Sequence, residues 1–262
     1  MIRALLYHDV VPEGGFAASG FVSPDANIYK FTTAEFALYL SAIQARHVKP
    51  AVSAFQALQE KDAFLLTFDD GGVGAIQWTA DMIEPFGHIG HFFITTDYIG
   101  VPGFMSRAEI AELARRGHVI GSHSCSHPML MSRCSASQLD REWRESVAKL
   151  SDILGAPVPV ASVPGGSYSR AVGSAAANAG IRALFTSEPT STISRVGECA
   201  LIGRYSVQQG TSTKTAAALA AGDLLQRLQQ FAYWNVKKVI KRIGGNAWLE
   251  FRKAVLAKRP PR

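Results

Sequence analysis

No stretch of this 262-residue chain approaches the run of about 20 apolar residues that crosses a bilayer as a helix. Cysteine is scarce. Cys125, Cys134 and Cys199 are odd in number and match no zinc or redox spacing, so they read as free thiols rather than a disulfide framework. Met1 to Val11 holds only a short apolar stretch without the layout of a signal peptide, and the expected compartment is the cytoplasm. Internal repeats, linkers and low-complexity segments are missing. Histidine does not occur after His127. Charge is sparse, at 18%, against 47% apolar residues, which suits a soluble enzyme with a large core.

Acidic residues nearly vanish from the end of the chain. From Lys237 onward there are nine Lys or Arg and one Glu, a net charge of +8. The preceding residues carry 18 basic and 20 acidic groups, a net −2. A basic tail can meet an anionic surface or an acidic partner, or be simply solvated.

Short apolar runs alternate with segments of helical period. Ile2 to Tyr7, Ala63 to Phe68, His91 to Ile94, Val119 to Ile120, Val160 to Val163, Ala183 to Phe185 and Leu201 to Ile202 read as strands. The near-continuous run Ala63 to Phe68 is expected of a parallel strand covered on both faces. Capping boxes at Thr32/Glu35, Ser106/Glu109 and Ser135/Gln138 open three helices. The last has the face Leu139, Trp143, Val147, Leu150 and Leu154. Further helices are expected from about Gly74 to Ile83, from Ser169 to Ala179, and as one long helix from Ala216 to Ile243. Repeated strand–helix units imply a parallel α/β sheet, whose chemistry in a barrel sits at the C-terminal strand ends.

Two motifs fall at such ends. Thr67-Phe68-Asp69-Asp70-Gly71 closes one apolar run, and Gly121-Ser122-His123-Ser124-Cys125-Ser126-His127 follows another. One aspartate and two histidines make a three-ligand set for a divalent metal with an open position, and the second aspartate remains as a general base. Adjacent strand residues point to opposite faces. The turn at Gly71-Gly72 is expected to relax that rule and bring both carboxylates to one site.

These motifs resemble the first two motifs of the NodB-homology polysaccharide deacetylases, carbohydrate esterase family four. The intervening order His91-Phe92-Phe93-Ile94, Glu109-Ile110 to Leu113 and Gly117-His118-Val119-Ile120-Gly121 agrees. The resemblance spans about Ile2 to Ser206. It implies a distorted parallel (β/α) barrel over residues 1–210, with residues 211–262 left as a basic C-terminal helical extension. It implies a metal-dependent hydrolase that removes acetyl from an N-acetylated sugar, a glycan or a lipid-linked glycan during glycan biosynthesis. Asp70, His123 and His127 would hold one divalent metal, zinc first, with cobalt or nickel possible substitutes. Asp69 would be the base, and a backbone N–H near Gly165 or Gly166 would face the oxyanion.

The chain departs from the family pattern in three places. Ser162 stands where the third motif begins with arginine, although Pro164-Gly165-Gly166-Ser167-Tyr168 matches a variant of that motif and brings Tyr168 to the substrate side. The late histidine that supplies an acid is absent, and the Asp-and-Trp motif is not found near Thr186 to Pro189. On this reading the chain is a cytoplasmic variant lacking both the arginine and the late histidine. His8, in the strand-end Tyr7-His8-Asp9, is the expected substitute acid or substrate ligand, and Arg204 the expected substitute arginine. His88 and His91 lack acidic company and are not expected to ligate metal. His118 is expected to be exposed. The alternatives are a non-catalytic glycan-binding barrel and a sugar deformylase. No nucleic-acid partner is expected. Tyr233, Trp234, Lys237, Lys238, Lys241 and Arg242 suggest peripheral contact with the inner face of a membrane.

Overall fold

The computed structural model describes residues 1–236. The strands are β1 (Ile2–Tyr7), β2 (Asp9–Val11), β3 (Lys30–Thr32), β4 (Ala63–Phe68), β5 (Gly90–Ile94), β6 (Val119–Ser122), β7 (Val160–Ser162), β8 (Ala183–Phe185), β9 (Ser194–Val196), β10 (Cys199–Ile202) and β11 (Tyr205–Ser206). The helices are α1 (Pro24–Asn27), α2 (Thr33–Gln44), α3 (Ala54–Gln59), α4 (Ala80–Ile83), α5 (Arg107–Arg115), α6 (Ala136–Leu154), α7 (Arg170–Asn178) and α8 (Thr213–Ala221). A π-helical turn, Ala75–Thr79, leads into α4.

The main sheet has the order β11-β1-β4-β5-β6-β7-β8-β10-β9. Its pairs are parallel except for the antiparallel edge strand β9. It curls into a distorted (β/α) barrel. β10 lies beside β8 and runs through Gly203 and Arg204 straight into β11, which pairs with β1 on the far side of the sheet. Residues 199–206 therefore form a seam between the two ends. The strands β1 and β4 are buried at every position, as near-continuous apolar runs between two covering layers are expected to be.

All three expected capping boxes form, opening α2, α5 and α6. Each serine or threonine accepts from the N3 amide while the N3 side chain accepts from the cap amide, satisfying two otherwise orphaned donors. The single long helix expected from Ala216 does not form. Gly222 adopts φ 83° and caps α8 at Ala221, a left-handed conformation that glycine reaches without steric cost. Helix resumes over residues 224–236. The expected continuation to Ile243, with Lys237, Lys238, Lys241 and Arg242, lies outside the described residues. α8 packs its buried alanines and Leu219 against α2 and β1.

Three histidines tie loops to the sheet. His88 Nδ1 accepts from the Ala51 amide at 2.8 Å, and His118 Nδ1 from the Gly90 amide at 3.2 Å. His91 Nε2 accepts from the Ala54 amide at 2.9 Å while its Nδ1 donates to the Leu66 carbonyl. His118 is buried, contrary to expectation, because its ring is needed as that acceptor. Burial pushes the His91 imidazole down from 6.5 to about 4. The unfolded chain then binds the proton more strongly, so this contribution to stability is complete above pH 6.5 and fades as pH falls toward 4. Between pH 7 and pH 5 the loss is about 2 kcal/mol. The urea midpoint of the wild type should fall more steeply over that interval than that of His91→Asn. Equal slopes would refute the assignment.

Candidate metal centre

The strand registers set the site. Tyr7 pairs with Phe68, so His8 and Asp69 leave adjacent strands at the same level, and the Asp69 amide donates to the Tyr7 carbonyl. Ile94 pairs with Ser122 and Ser122 with Ala161, which places His123 beside Ser162. Asp69, His123, Ser162 and His8 thus converge at the C-terminal rim.

Asp70 turns back toward the same point because its backbone is left-handed, with φ 75°. The expected hinge at Gly71-Gly72 therefore begins one residue earlier. Ser124 and His127 also have positive φ. Such conformations cost of order 1 kcal/mol or more in residues with a side chain, and they persist where surrounding contacts over-determine them. Gly72 and Gly74 have a different reason to be glycine. The Asp9 carboxylate occupies the space where a Cβ would stand at either position. Ser19 Oγ bridges the two by donating to Asp9 and accepting from the Gly74 amide at 3.0 Å.

Asp70, His123 and His127 each present one ligand atom within 4.8 Å of the others. Asp70 Oδ1 lies 3.5 Å from His123 Nε2 and 3.5 Å from His127 Nε2. Two ligands on a tetrahedral zinc stand roughly 3.3 Å apart, so this spacing fits one small cation. Asp70 Oδ1 is buried without a hydrogen-bond partner, as a ligand oxygen would be. Burial opposes its ionisation, but the neighbouring histidines hold its pKa well below the usual carboxylate range.

Ser162 fixes the histidine tautomer. Its Oγ donates to Asp69 Oδ1 at 2.9 Å and accepts from His123 Nδ1 at 2.7 Å. The Ser162 carbonyl also lies 3.0 Å from that nitrogen. His123 therefore carries a proton on Nδ1 and turns Nε2 toward Asp70. Arg204 completes the arrangement from the seam. Its guanidinium donates to Asp69 Oδ1 at 2.7 Å and Oδ2 at 2.8 Å, to Thr67 Oγ1 at 3.3 Å, and through Nε to the Thr186 carbonyl at 3.1 Å. Arg204 is fully buried. Burial alone would raise the Asp69 pKa, yet Arg204 and His123 outweigh it and the net shift is downward.

The reading of the chain as a variant lacking key residues is corrected by these contacts. The Asp-His-His cluster is complete. The small Ser162 side chain leaves room for the guanidinium, which reaches Asp69 from another strand. His8, supplied by the first strand, lies within electrostatic reach of Asp70 and Asp69, and its buried Nδ1 has no hydrogen-bond partner. Its ring packs on Tyr29 at 4.3 Å.

Glu142 is the residue that sequence reasoning missed. It is 2% exposed on α6 and accepts from the amides of Cys125 and Ser126, both at 2.9 Å, and from Ser126 Oγ at 2.7 Å. It thereby holds the loop between His123 and His127. The available signal was an acid on the buried face of α6, three residues after Leu139 and next to Trp143. Gly165 and Gly166 form a turn with φ 57° and 64°, and the Gly166 amide is bonded to the Val163 carbonyl. Tyr168 turns its hydroxyl toward Gly173 of α7. Cys125 is a buried free thiol.

The polysaccharide deacetylase family model matches residues 57–184. That span includes Asp69, Asp70, His123, His127 and Ser162 and excludes His8 and Arg204. No curated protein matches the chain in sequence. Among solved structures, the Streptococcus pyogenes deacetylase PplD, in complex with acetate, is similar over 81% of this chain and 95% of its own, with 17% identity and a TM-score of 0.66. A polysaccharide deacetylase from Bacillus cereus is similar over 84% of this chain and 68% of its own, at 18% identity and TM-score 0.68. IcaB from Ammonifex degensii is similar over 84% and 97%, at 19% identity and TM-score 0.65. The fold is the distorted parallel (β/α) barrel that these structures share, and its Asp-His-His cluster is compatible with a metal-dependent deacetylase site.

Proposed function

We propose that this chain is a metal-dependent hydrolase that removes the acetyl group from an N-acetylated sugar, with zinc as the resident ion held by Asp70, His123 and His127. The observation that carries this reading is the ligand cluster with a separate carboxylate, Asp69, clamped beside it. A divalent ion at that position supplies Lewis acidity toward water and the acyl carbonyl.

Asp69 takes the proton of the attacking water. Its depressed pKa keeps it ionised at neutral pH, and its bonds to Arg204 and Ser162 fix its direction. The Gly166 amide is engaged within its turn, so the Gly165 amide is the donor assigned to the oxyanion. Burial holds His8 neutral despite the neighbouring carboxylates, so it serves as a hydrogen-bond partner of the sugar. Asp69, once protonated, passes the proton to the leaving nitrogen. A pure binding barrel has no use for a base held by a paired guanidinium, which favours catalysis over the non-catalytic alternative.

Metal analysis and acetate release test the reading together. His123→Ala should lose bound zinc and all acetate release. His8→Ala should keep zinc and lower turnover on an N-acetylated sugar. Undiminished zinc in His123→Ala would sink the ligand assignment. Release of formate from an N-formyl sugar, without acetate release, would replace deacetylation by deformylation.

A further inference from the structure

The helix over residues 224–236 is amphipathic in the reverse sense. Two of its polar side chains, Arg227 and Gln230, face the protein. Arg227 donates to Ser191 Oγ at 3.2 Å and contacts Met1, and Gln230 donates to the Ser206 carbonyl at 2.9 Å. Its apolar side chains face outward. Leu224 is 60% exposed, Leu225 62%, Leu228 54%, Phe231 40% and Val236 58%. At 100° per residue these five fall within an arc of roughly 140°, an apolar stripe interrupted by Asn235. A surface helix of a monomer normally presents the opposite face to water, and an exposed apolar stripe marks a binding surface.

The stripe has a direction. Arg227 meets Met1, at the start of β1, and Gln230 meets Ser206, which pairs with Leu6 near the end of that strand. The helix therefore climbs the outside of the seam toward the rim that carries the metal-ligand cluster. That rim has exposed aliphatic residues of its own. Val22 is 68% exposed and follows Phe21, whose ring lies 5.2 Å from that of His127. Met129 is 61% exposed and follows His127 by two residues. Val101, 41% exposed, caps the turn between Tyr98 and Phe104, both packed on Phe21. Where the helix leaves the described residues, the sequence continues with Lys237, Lys238, Lys241 and Arg242, within a segment of net charge +8.

We propose that the catalytic rim and this stripe dock on an anionic phospholipid surface. The occupant must be apolar and negative at once. A second copy of the chain would bring two basic segments together, and a nucleic acid would leave the leucines without an apolar partner. A bilayer rich in anionic lipid satisfies both, by combining apolar insertion with attraction of the basic residues. The enzyme then works on glycans held at that surface.

Vesicle flotation tests this without reference to metal or turnover. The full chain should float with phosphatidylcholine–phosphatidylglycerol vesicles at low salt, and far less with phosphatidylcholine alone or at high salt. Leu225→Gln with Leu228→Gln, both at exposed positions and outside the catalytic machinery, should keep the wild-type thermal midpoint. They should cut partitioning about tenfold or more. Lys237→Ala and Lys238→Ala should each cut it about fivefold. A wild-type chain that stays with the lipid-free fraction overturns the proposal. So does flotation unchanged in the leucine variant, or self-association in ultracentrifugation that the leucine variant abolishes while vesicles remain unbound. The leucine variant should hydrolyse a small soluble N-acetylated sugar as the wild type does, so failure of the deacetylase reading would appear in that assay and not in flotation.

Discussion

Asp69→Asn should retain zinc and lose at least about a hundredfold in turnover per folded molecule. Asparagine has the shape of aspartate, and the ligands Asp70, His123 and His127 remain in place. What disappears is the carboxylate clamped beside the ligand set, and with it the acceptor for the proton of water. The amide cannot take that proton, nor return it to the leaving nitrogen. The same change leaves the buried Arg204 without its partner, so some loss of stability accompanies it. Activity must therefore be referred to folded, metal-loaded protein. Turnover within a few-fold of wild type, on that basis, would mean that Asp69 is not the base.

Arg204→Met should destabilise the fold by about 3–5 kcal/mol, because it strips a fully buried carboxylate of its counter-charge. Asp69 would then lose both guanidinium bonds, and its pKa would rise toward or above the usual range as burial went unopposed. The sign of the accompanying pH effect follows. In the wild type the depressed pKa contributes stability that is present above the ordinary carboxylate value and lost as pH falls below it, and the variant lacks that acid-labile part. Arg204→Lys should fold better than the methionine variant yet turn over about tenfold or more slowly, since one ammonium cannot reproduce a paired fork. Urea denaturation and acetate release measure the two effects separately. A methionine variant as stable as the wild type would show that the ion pair contributes nothing to the fold.

The parts of the site that the sequence made legible are local. An apolar run ending in Asp69-Asp70, and another ending before His123, place three ligand candidates and a base at strand ends with no knowledge of the fold. Arg204 did not escape: its place after a late strand marks it as the expected substitute arginine, although it lies 135 residues from Asp69. The parts that escaped are set by distance or by backbone conformation. Glu142 reaches its loop from 16 and 17 residues away, where no spacing rule applies. The left-handed conformation of Asp70 is imposed by its surroundings, whereas glycine next door was the residue that local propensity favoured for the turn. Gly222 shows the reverse error, a local stop signal overridden by the long apolar pattern around it. His118 was misjudged because a polar side chain before a strand gives no sign that a backbone amide needs it as an acceptor.

The seam has a bearing on how the protein comes into being. The three ligand residues are all present in the chain once residue 127 is made, whereas the guanidinium that holds the base arrives only with residue 204 and with closure of β11 on β1. A nascent or truncated chain ending before the seam would own a metal-ligand set and an Asp69 without its guanidinium partner. Ion capture and hydrolytic competence are thus separated in the order of synthesis, and the second waits for the last strand of the barrel.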